Sequence, residues 1–275
     1  MSSHMQGFER DTWKAVISSK RVWLVHVVLN ALLMIAFFYW LRIPEETGWQ
    51  FTLTVVSGLL IAFVTLWLHS ATFDYFSPAG ERRFRDSLRR SPIRIPAFLV
   101  WAVVFGLGLW LIGQLWGFDE QMGGWARHLL PLFLRRHVTP RSMFSVSHGV
   151  VWFLYFVVWP ILILPIGGQV ALKNWCGFAG KAAFRPIREW RFWILYLVCF
   201  VIGAYVPYTL AWMTPTKRSP LSEQTWSMVI RLGIGYLLLV TAWVVLCAAI
   251  MRASEGETTT AKESEPASDK TVPVL

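Results

Sequence analysis

Long apolar runs separated by short charged segments form the pattern of this chain. Six of them contain no Asp, Glu, Lys or Arg over at least 20 residues. They follow Arg21, Glu46, Arg94, Arg141, Arg191 and Arg231, and they are 20, 27, 24, 31, 25 and 20 residues long. About 20 apolar residues in a helix cross the hydrocarbon core of a bilayer, and lipid leaves a helix as the way to pair the backbone of such a run. We therefore predict an all-α, polytopic membrane protein.

The predicted transmembrane domain covers residues 22–252. Its six helices lie at about residues 22–41, 51–72, 97–117, 150–172, 192–213 and 226–251. Aromatic residues stand near the ends of several spans, as they do in the interfacial belts of membrane proteins. Composition agrees with this interpretation, because only 15% of the 275 residues are charged, whereas soluble domains carry about 25% charge.

The distribution of basic residues predicts the orientation. The segment before the first span and the second and fourth connections together carry 15 Lys and Arg, whereas the other three connections carry 7. Basic connections are retained in the cytoplasm. We therefore expect both termini in the cytoplasm and the protein in the plasma (inner) membrane. This bias also accounts for the net charge of +10, so we predict no nucleic-acid partner.

Two basic connections share a sequence motif. The residues around Phe84 recur 100 positions later around Phe184, and a fainter copy at residues 13–17 precedes the first span. Each copy places apolar residues three or four apart among cations, which is typical of a short helix in the headgroup layer. We predict three hairpins, each preceded by an interfacial helix, with chance similarity of arginine-rich loops as the alternative. The arginines expected to contact anionic lipid headgroups are Arg85, Arg89, Arg185 and Arg188.

The regions outside the spans have distinct characters. Residues 1–21 contain the first predicted interfacial helix on the cytoplasmic side. The connection 118–148 has an amphipathic stripe too short to span, so we expect it to lie on the outer leaflet. Residues 253–275 hold five acidic residues and little to bury, which predicts a disordered cytoplasmic tail.

No catalytic motif is found in the sequence. It has no phosphate-binding loop, dinucleotide glycine motif, zinc-protease helix or nucleophile elbow. All 16 acidic residues lie outside the predicted spans, so an acidic relay for ion coupling is unsupported. We predict no catalytic residue, no metal site and no cofactor, and an enzyme is the less favoured class.

Arg231 is the charged residue that we place inside a span, near the external end of the sixth helix. Its long stem could carry the guanidinium to the headgroups. The functional alternative is an anion or lipid-phosphate site that includes Tyr205 and Tyr208 of the fifth span, because a guanidinium fork suits phosphate or carboxylate. Prolines in the fourth and fifth spans, namely Pro160, Pro165 and Pro207, predict kinks or breaks in those helices.

His26 and His69 form a second constellation. Each lies three or four residues from the cytoplasmic end of its span, so a rise of 1.5 Å per residue gives them similar depths. We interpret them as hydrogen-bonding side chains between helices. Ligation of haem by the two imidazoles is a less favoured alternative.

Three functions are compatible with these features. Repeated hairpins, Arg231 and the proline-containing helices favour transport or handling of a small solute or lipid. The lack of intramembrane acids favours a non-catalytic assembly or scaffold subunit with a protein partner or an oligomer. A haem-binding electron carrier depends on His26 and His69 alone. In every case membrane lipids with anionic headgroups are expected partners.

Overall fold

Helix makes up almost all of the chain that the structure describes. The computed structural model describes residues 12–77, 83–213 and 220–255, and these ranges contain no β-strand. Six helices are long and apolar enough to cross a membrane, which confirms the predicted fold class. They are α1 (Lys20–Trp40), α2 (Gly48–Tyr75), α3 (Ile95–Gln114), α4 (Pro140–Phe153, Leu154–Val158 and Trp159–Lys173), α5 (Trp190–Phe200, Val201–Tyr205 and Val206–Trp212) and α6 (Leu221–Glu255).

The helix ends differ from the predicted spans by up to ten residues, and the largest difference is at α4, which begins at Pro140 and takes the last part of the connection 118–148. α2 begins early because Thr47 and Gln50 form a capping box, in which each side chain accepts from the other residue's backbone N–H. α2 also continues to Tyr75, three residues beyond the predicted span. α6 continues to Glu255, so it takes the first residues of the segment predicted as the tail. The rest of that segment, 256–275, lies outside the described residues.

Short helices precede the hairpins. Residues 12–18 are helical, a helix covers Phe84–Arg90, and short turns cover Lys181–Phe184 and Arg185–Arg188. The Phe84–Arg90 helix packs onto α2, because the Trp67 indole N–H donates to the Leu88 carbonyl at 2.7 Å. Part of the repeated motif, residues 79–82, lies outside the described residues. The location of these short helices in the headgroup layer stays a prediction.

α3 and α4 hold each other through a reciprocal pair of tryptophans. The Trp101 ring of α3 covers Gly167 of α4, where a Cβ would lie 2.4 Å from the ring. The Trp159 ring of α4 covers Gly108 of α3, where a Cβ would lie 1.9 Å away. Each indole N–H donates at 2.9 Å to a carbonyl of the opposite helix. Both contacts need a residue without a side chain, so the glycines fix the register of the two helices.

The prolines widen their helices and do not break them. A π-helical turn, Leu154–Val158, lies just before Pro160, and α4 then continues through Pro165 to Lys173. α5 has the same turn just before Pro207. The predicted breaks are therefore wrong, because the helices continue through the prolines, and at Pro160 a neighbouring group bonds the carbonyl that the proline frees. Pro160 cannot donate to the Phe156 carbonyl, and the Tyr196 hydroxyl donates to it at 2.5 Å.

The buried core lies toward one end of the bundle. This end, termed the basic end, holds the start of α1, the end of α2 and the end of α6. Buried side chains of α6 run from Val240 to Ser254, whereas most of its first half is exposed. Much of α1 and the first half of α2 is also exposed. α6 is therefore the central helix, and α1 and α2 lie at the side of the bundle.

Candidate functional site

An apolar cavity lies between α1, α2, α3 and α6. It has a volume of about 520 Å³, and none of its described lining residues is charged. Aromatic and aliphatic side chains make most of its wall, among them Phe98 and Trp101 of α3. Met34 and Leu239 also line it and are 60% and 50% exposed. Because these two lie on the lipid-facing surface, this space, termed the central cavity, opens toward the hydrocarbon.

His26 lies beside this cavity and is fully hydrogen-bonded. Asn30 Nδ2 donates to His26 Nδ1 at 3.1 Å, and His26 Nε2 donates to Thr72 Oγ1 at 2.6 Å. The Thr72 hydroxyl in turn donates to the Leu68 carbonyl at 2.8 Å. Because the Thr72 hydroxyl donates to Leu68, it accepts from His26, which assigns the ring proton to Nε2. His26 therefore links α1 to α2.

His69 lines the cavity with no hydrogen bond to any described residue. Its ring centroid lies 5.6 Å from that of His26 and 5.0 Å from that of Trp243, which meets it edge-on. Nδ1 of His69 is buried and has no partner. A buried polar group without a partner costs about 1–3 kcal/mol. The His69 ring and the indole N–H of Trp243, which is also buried without a partner, are thus two polar groups of the cavity wall that lack a partner within the described chain.

The two histidines do not fit haem ligation. An iron ligand needs a free ring nitrogen, and both nitrogens of His26 take part in hydrogen bonds with Asn30 and Thr72. The sequence correctly gives the matching depths, and the structure brings the rings together as neighbours. In the described part of the chain no three His, Cys, Asp or Glu residues form a group that could hold a metal ion.

Arg231 contacts the end of α5. Its guanidinium donates to the Leu210 carbonyl at 3.4 Å and to the Met213 carbonyl, and its Nε donates to the Ser227 carbonyl. The last carbonyls of a helix lack partners within the helix, and a cation there also suits the helix dipole. Tyr205 and Tyr208 are more than half exposed, and no hydrogen bond joins either to Arg231 among the described residues. The phosphate site predicted from these three residues stays a prediction.

The four arginines predicted to contact lipid occupy different surroundings. Arg85, Arg89 and Arg188 are exposed, and Arg185 is partly buried. Arg85 also lines a cavity at the basic end. The described lining of that cavity includes none of Arg89, Arg185 and Arg188. The structure therefore separates Arg85 from the other three.

A buried ion pair escaped the sequence analysis. Asp74 is fully buried near the end of α2, and Arg94 Nη1 donates to its carboxylate at 2.5 Å. Arg94 also donates to the Ala171 carbonyl of α4 at 2.6 Å. The pair therefore joins α2, the turn before α3, and α4. The predicted span ended two residues before Asp74, so the carboxylate was counted with the connection.

The long connection on the opposite side also contains a pair that spacing alone did not indicate. The helix Asp119–Leu129 lies against the start of α4, and a Cβ at Gly123 would be 3.1 Å from the Phe144 backbone. His148 Nδ1 lies 3.0 Å from the Asp119 carboxylate. Trp125 and Leu129 are 72% and 87% exposed, and their place on the outer leaflet stays a prediction.

These observations make the central cavity the best candidate site, because it joins a ligand-sized space to an imidazole without a partner. The signal in the sequence was the matched depth of the two histidines, whereas nothing local indicated the cavity itself. Comparison of the chain with protein-family models, with curated proteins and with solved structures found no match.

Proposed function

We propose that this protein handles a lipid-soluble amphiphile by binding it in the central cavity. The observation that carries the proposal is the His69 ring, which has no hydrogen-bond partner in a wall that is otherwise almost wholly apolar. An amphiphile with a carbonyl or hydroxyl head would bond the imidazole and place its apolar part against the aromatic wall. One molecule would thus supply a hydrogen-bond partner for His69 and an apolar group that fills the cavity.

The size and lining of the cavity support this class of ligand. Small-molecule sites have volumes of about 300–1,000 Å³ and carry a few polar groups in an apolar wall. The central cavity falls in this range at about 520 Å³. Asn30 also lines it, and its side-chain carbonyl can accept from a hydroxyl head while its amide donates to His26.

The same lining argues against an ion as the ligand. Ion and proton pathways in membranes use acidic or basic side chains within the spans. The described lining of the cavity has no Asp, Glu, Lys or Arg and one His, and Asp74 pairs with Arg94 away from it. An amphiphile with an uncharged head and an apolar body is therefore favoured over an ion as the ligand.

The test is to identify what copurifies with the full chain from its native membrane in mild detergent, by native mass spectrometry and lipid extraction. We expect one class of amphiphile at a fixed ratio to protein. Leu239→Trp adds bulk at the cavity wall and should remove most of it. Leu237→Trp is the matched control, because it adds the same bulk two residues away on α6 and outside the described lining.

Two results would overturn the proposal. The first is equal loss of the amphiphile in the Leu239→Trp and Leu237→Trp variants, which would place it on the general surface. The second is a protein subunit that copurifies in place of any amphiphile, which would favour the assembly alternative.

A further inference from the structure

A second cavity lies at the basic end, between the start of α1, the end of α2 and the Phe84–Arg90 helix. Its volume is about 890 Å³. No acidic residue is among its described lining residues, and no lining residue is shared with the central cavity. The cations that line it are Lys20, Arg21, Arg83 and Arg85. Since four like charges around one space repel each other, the cavity favours an anion.

The wall on the membrane side of this cavity is apolar. Val22, Val25 and Leu88 line it. On α1, Val28 and Leu32 follow Val25 at helical spacing and are 51% and 55% exposed. The cavity therefore continues as an apolar stripe along the lipid-facing side of α1. The acyl chains of a lipid can pack against such a stripe, whereas a soluble anion cannot.

The cations are held on packed elements. The Tyr75 and Phe84 rings meet edge-on with centroids 5.7 Å apart, and the Trp67 indole fixes the Leu88 carbonyl. These contacts attach the short helix that carries Arg85 to the end of α2. Lys20 and Arg21 stand on the first turn of α1. The backbone geometry of the site is thus set before any ligand arrives, which lowers the entropic cost of binding.

We propose that this cavity binds the phosphate headgroup of an anionic phospholipid, with the acyl chains along Val25, Val28 and Leu32. Arg21 and Arg85 would grip phosphate oxygens in bidentate geometry, and Lys20 and Arg83 would add charge. A phosphomonoester carries more charge than a phosphodiester, so phosphatidic acid is the preferred class. The site uses Arg85 of the repeated motif and not Arg89, and it is independent of the ligand of the central cavity.

The experiment uses the purified full chain and measures binding of dioleoyl phosphatidic acid by native mass spectrometry, with dioleoyl phosphatidylcholine for comparison. Removing two of four cations should weaken binding of phosphatidic acid by about tenfold or more in the Arg21→Gln/Arg85→Gln variant. The matched control is Arg90→Gln/Lys181→Gln, which removes the same charge from exposed positions outside the described lining. It should change affinity by less than about twofold.

Inorganic phosphate separates a lipid headgroup from a free anion. If the acyl chains contribute, millimolar phosphate should leave binding of phosphatidic acid almost unchanged. Full competition by phosphate would assign the site to a soluble anion and overturn the lipid proposal. Equal weakening in both double variants would show a general charge effect and would also overturn it.

An Arg21→Lys/Arg85→Lys variant keeps the charge and guards against misfolding. It should bind phosphatidic acid between the wild type and the Gln variant, because it loses the bidentate fork alone. Binding equal to that of the Gln variant, in a protein that elutes and melts like the wild type, would also support the fork. Binding equal to that of the wild type would remove the guanidinium fork from the proposal.

Discussion

His26 and His69 have the same side chain at the same depth, yet their nitrogens meet different surroundings. His26 bonds to Asn30 and Thr72 through its two ring nitrogens, whereas His69 bonds to no described residue. A residue that is already paired contributes to stability, and one that lacks a partner gains most from a ligand. The pair therefore divides into a structural histidine, His26, and the histidine that we propose binds the ligand, His69.

Substitution by phenylalanine should separate these two roles. His26→Phe leaves the Thr72 and Asn30 groups without their partner, so the free energy of unfolding should fall by about 1–3 kcal/mol. His69→Phe keeps an aromatic ring against Trp243 and removes a buried polar atom without a partner, so it should melt at or above the wild type while it loses the copurifying amphiphile. Thermal melting in detergent and lipid analysis measure the two effects. An amphiphile retained in full by His69→Phe would remove the imidazole from the site.

Arg231 should act on the stability of α5. Arg231→Gln removes the donors to the Leu210 and Met213 carbonyls, so we expect a loss of about 1–2 kcal/mol. Arg231→Lys should lose less, because it keeps a cation with similar reach. Melting temperatures of both variants check the order. Unchanged melting, together with loss of a copurifying phosphate ligand in both variants, would instead support the site with Tyr205 and Tyr208.

Side-chain hydrogen bonds to backbone carbonyls join the helices of this bundle at specific positions. The reciprocal tryptophans hold α3 to α4, and Arg94 holds α2 to α4. Each link combines close packing with a hydrogen bond to a backbone carbonyl. Lipid provides no hydrophobic force between helices, so such links carry much of the association energy.

Two glycines of α3 provide a matched test of the tryptophan contact. A Cβ at Gly108 would lie 1.9 Å from the Trp159 ring, whereas a Cβ at Gly106 would meet nothing within 4 Å. Gly108→Ala should therefore destabilise the protein by about 1–3 kcal/mol through overpacking. Gly106→Ala should stay within about 0.5 kcal/mol of the wild type or gain slightly from helix propensity. Equal melting of the two variants would contradict the described packing.

The sequence predicts helices well and their contacts poorly. Runs without charge gave the six spans because lipid imposes one solution on any apolar backbone. Asp74 was missed because its burial depends on Arg94, 20 residues away, and not on its neighbours along the chain. The central cavity was missed for the same reason, since its walls come from four helices. The depths of His26 and His69 were predictable because they depend on helical rise alone.

At the scale of the whole molecule, the basic end combines the buried core with the cationic cavity. The predicted orientation would place this end in the cytoplasm, beside the leaflet that is rich in anionic lipids. Orientation and the lipid proposal therefore agree, although the four cations of the cavity are also among the 15 that predict the orientation. Labelling from one side of the membrane tests where the basic end lies.

The native cysteines make that labelling simple. Cys176 is exposed at the basic end, whereas Cys199 and Cys247 are buried. In intact cells a membrane-impermeant thiol reagent should leave the wild type unmodified, and it should label Cys176 in inverted vesicles. Thr47→Cys in a Cys176→Ser background should show the reverse, because Thr47 lies exposed at the opposite end. Labelling of Cys176 from outside would reverse the predicted topology.

Because the central cavity opens between Met34 and Leu239, the concentration that matters for its ligand is the concentration within the membrane. Whatever enters between α1 and α6 arrives by diffusion within the bilayer, so its mole fraction among the surrounding lipids sets the occupancy. The aqueous concentration of the same molecule matters only through partitioning. A cell could then fill or empty the cavity by remodelling its membrane, with no signal in solution.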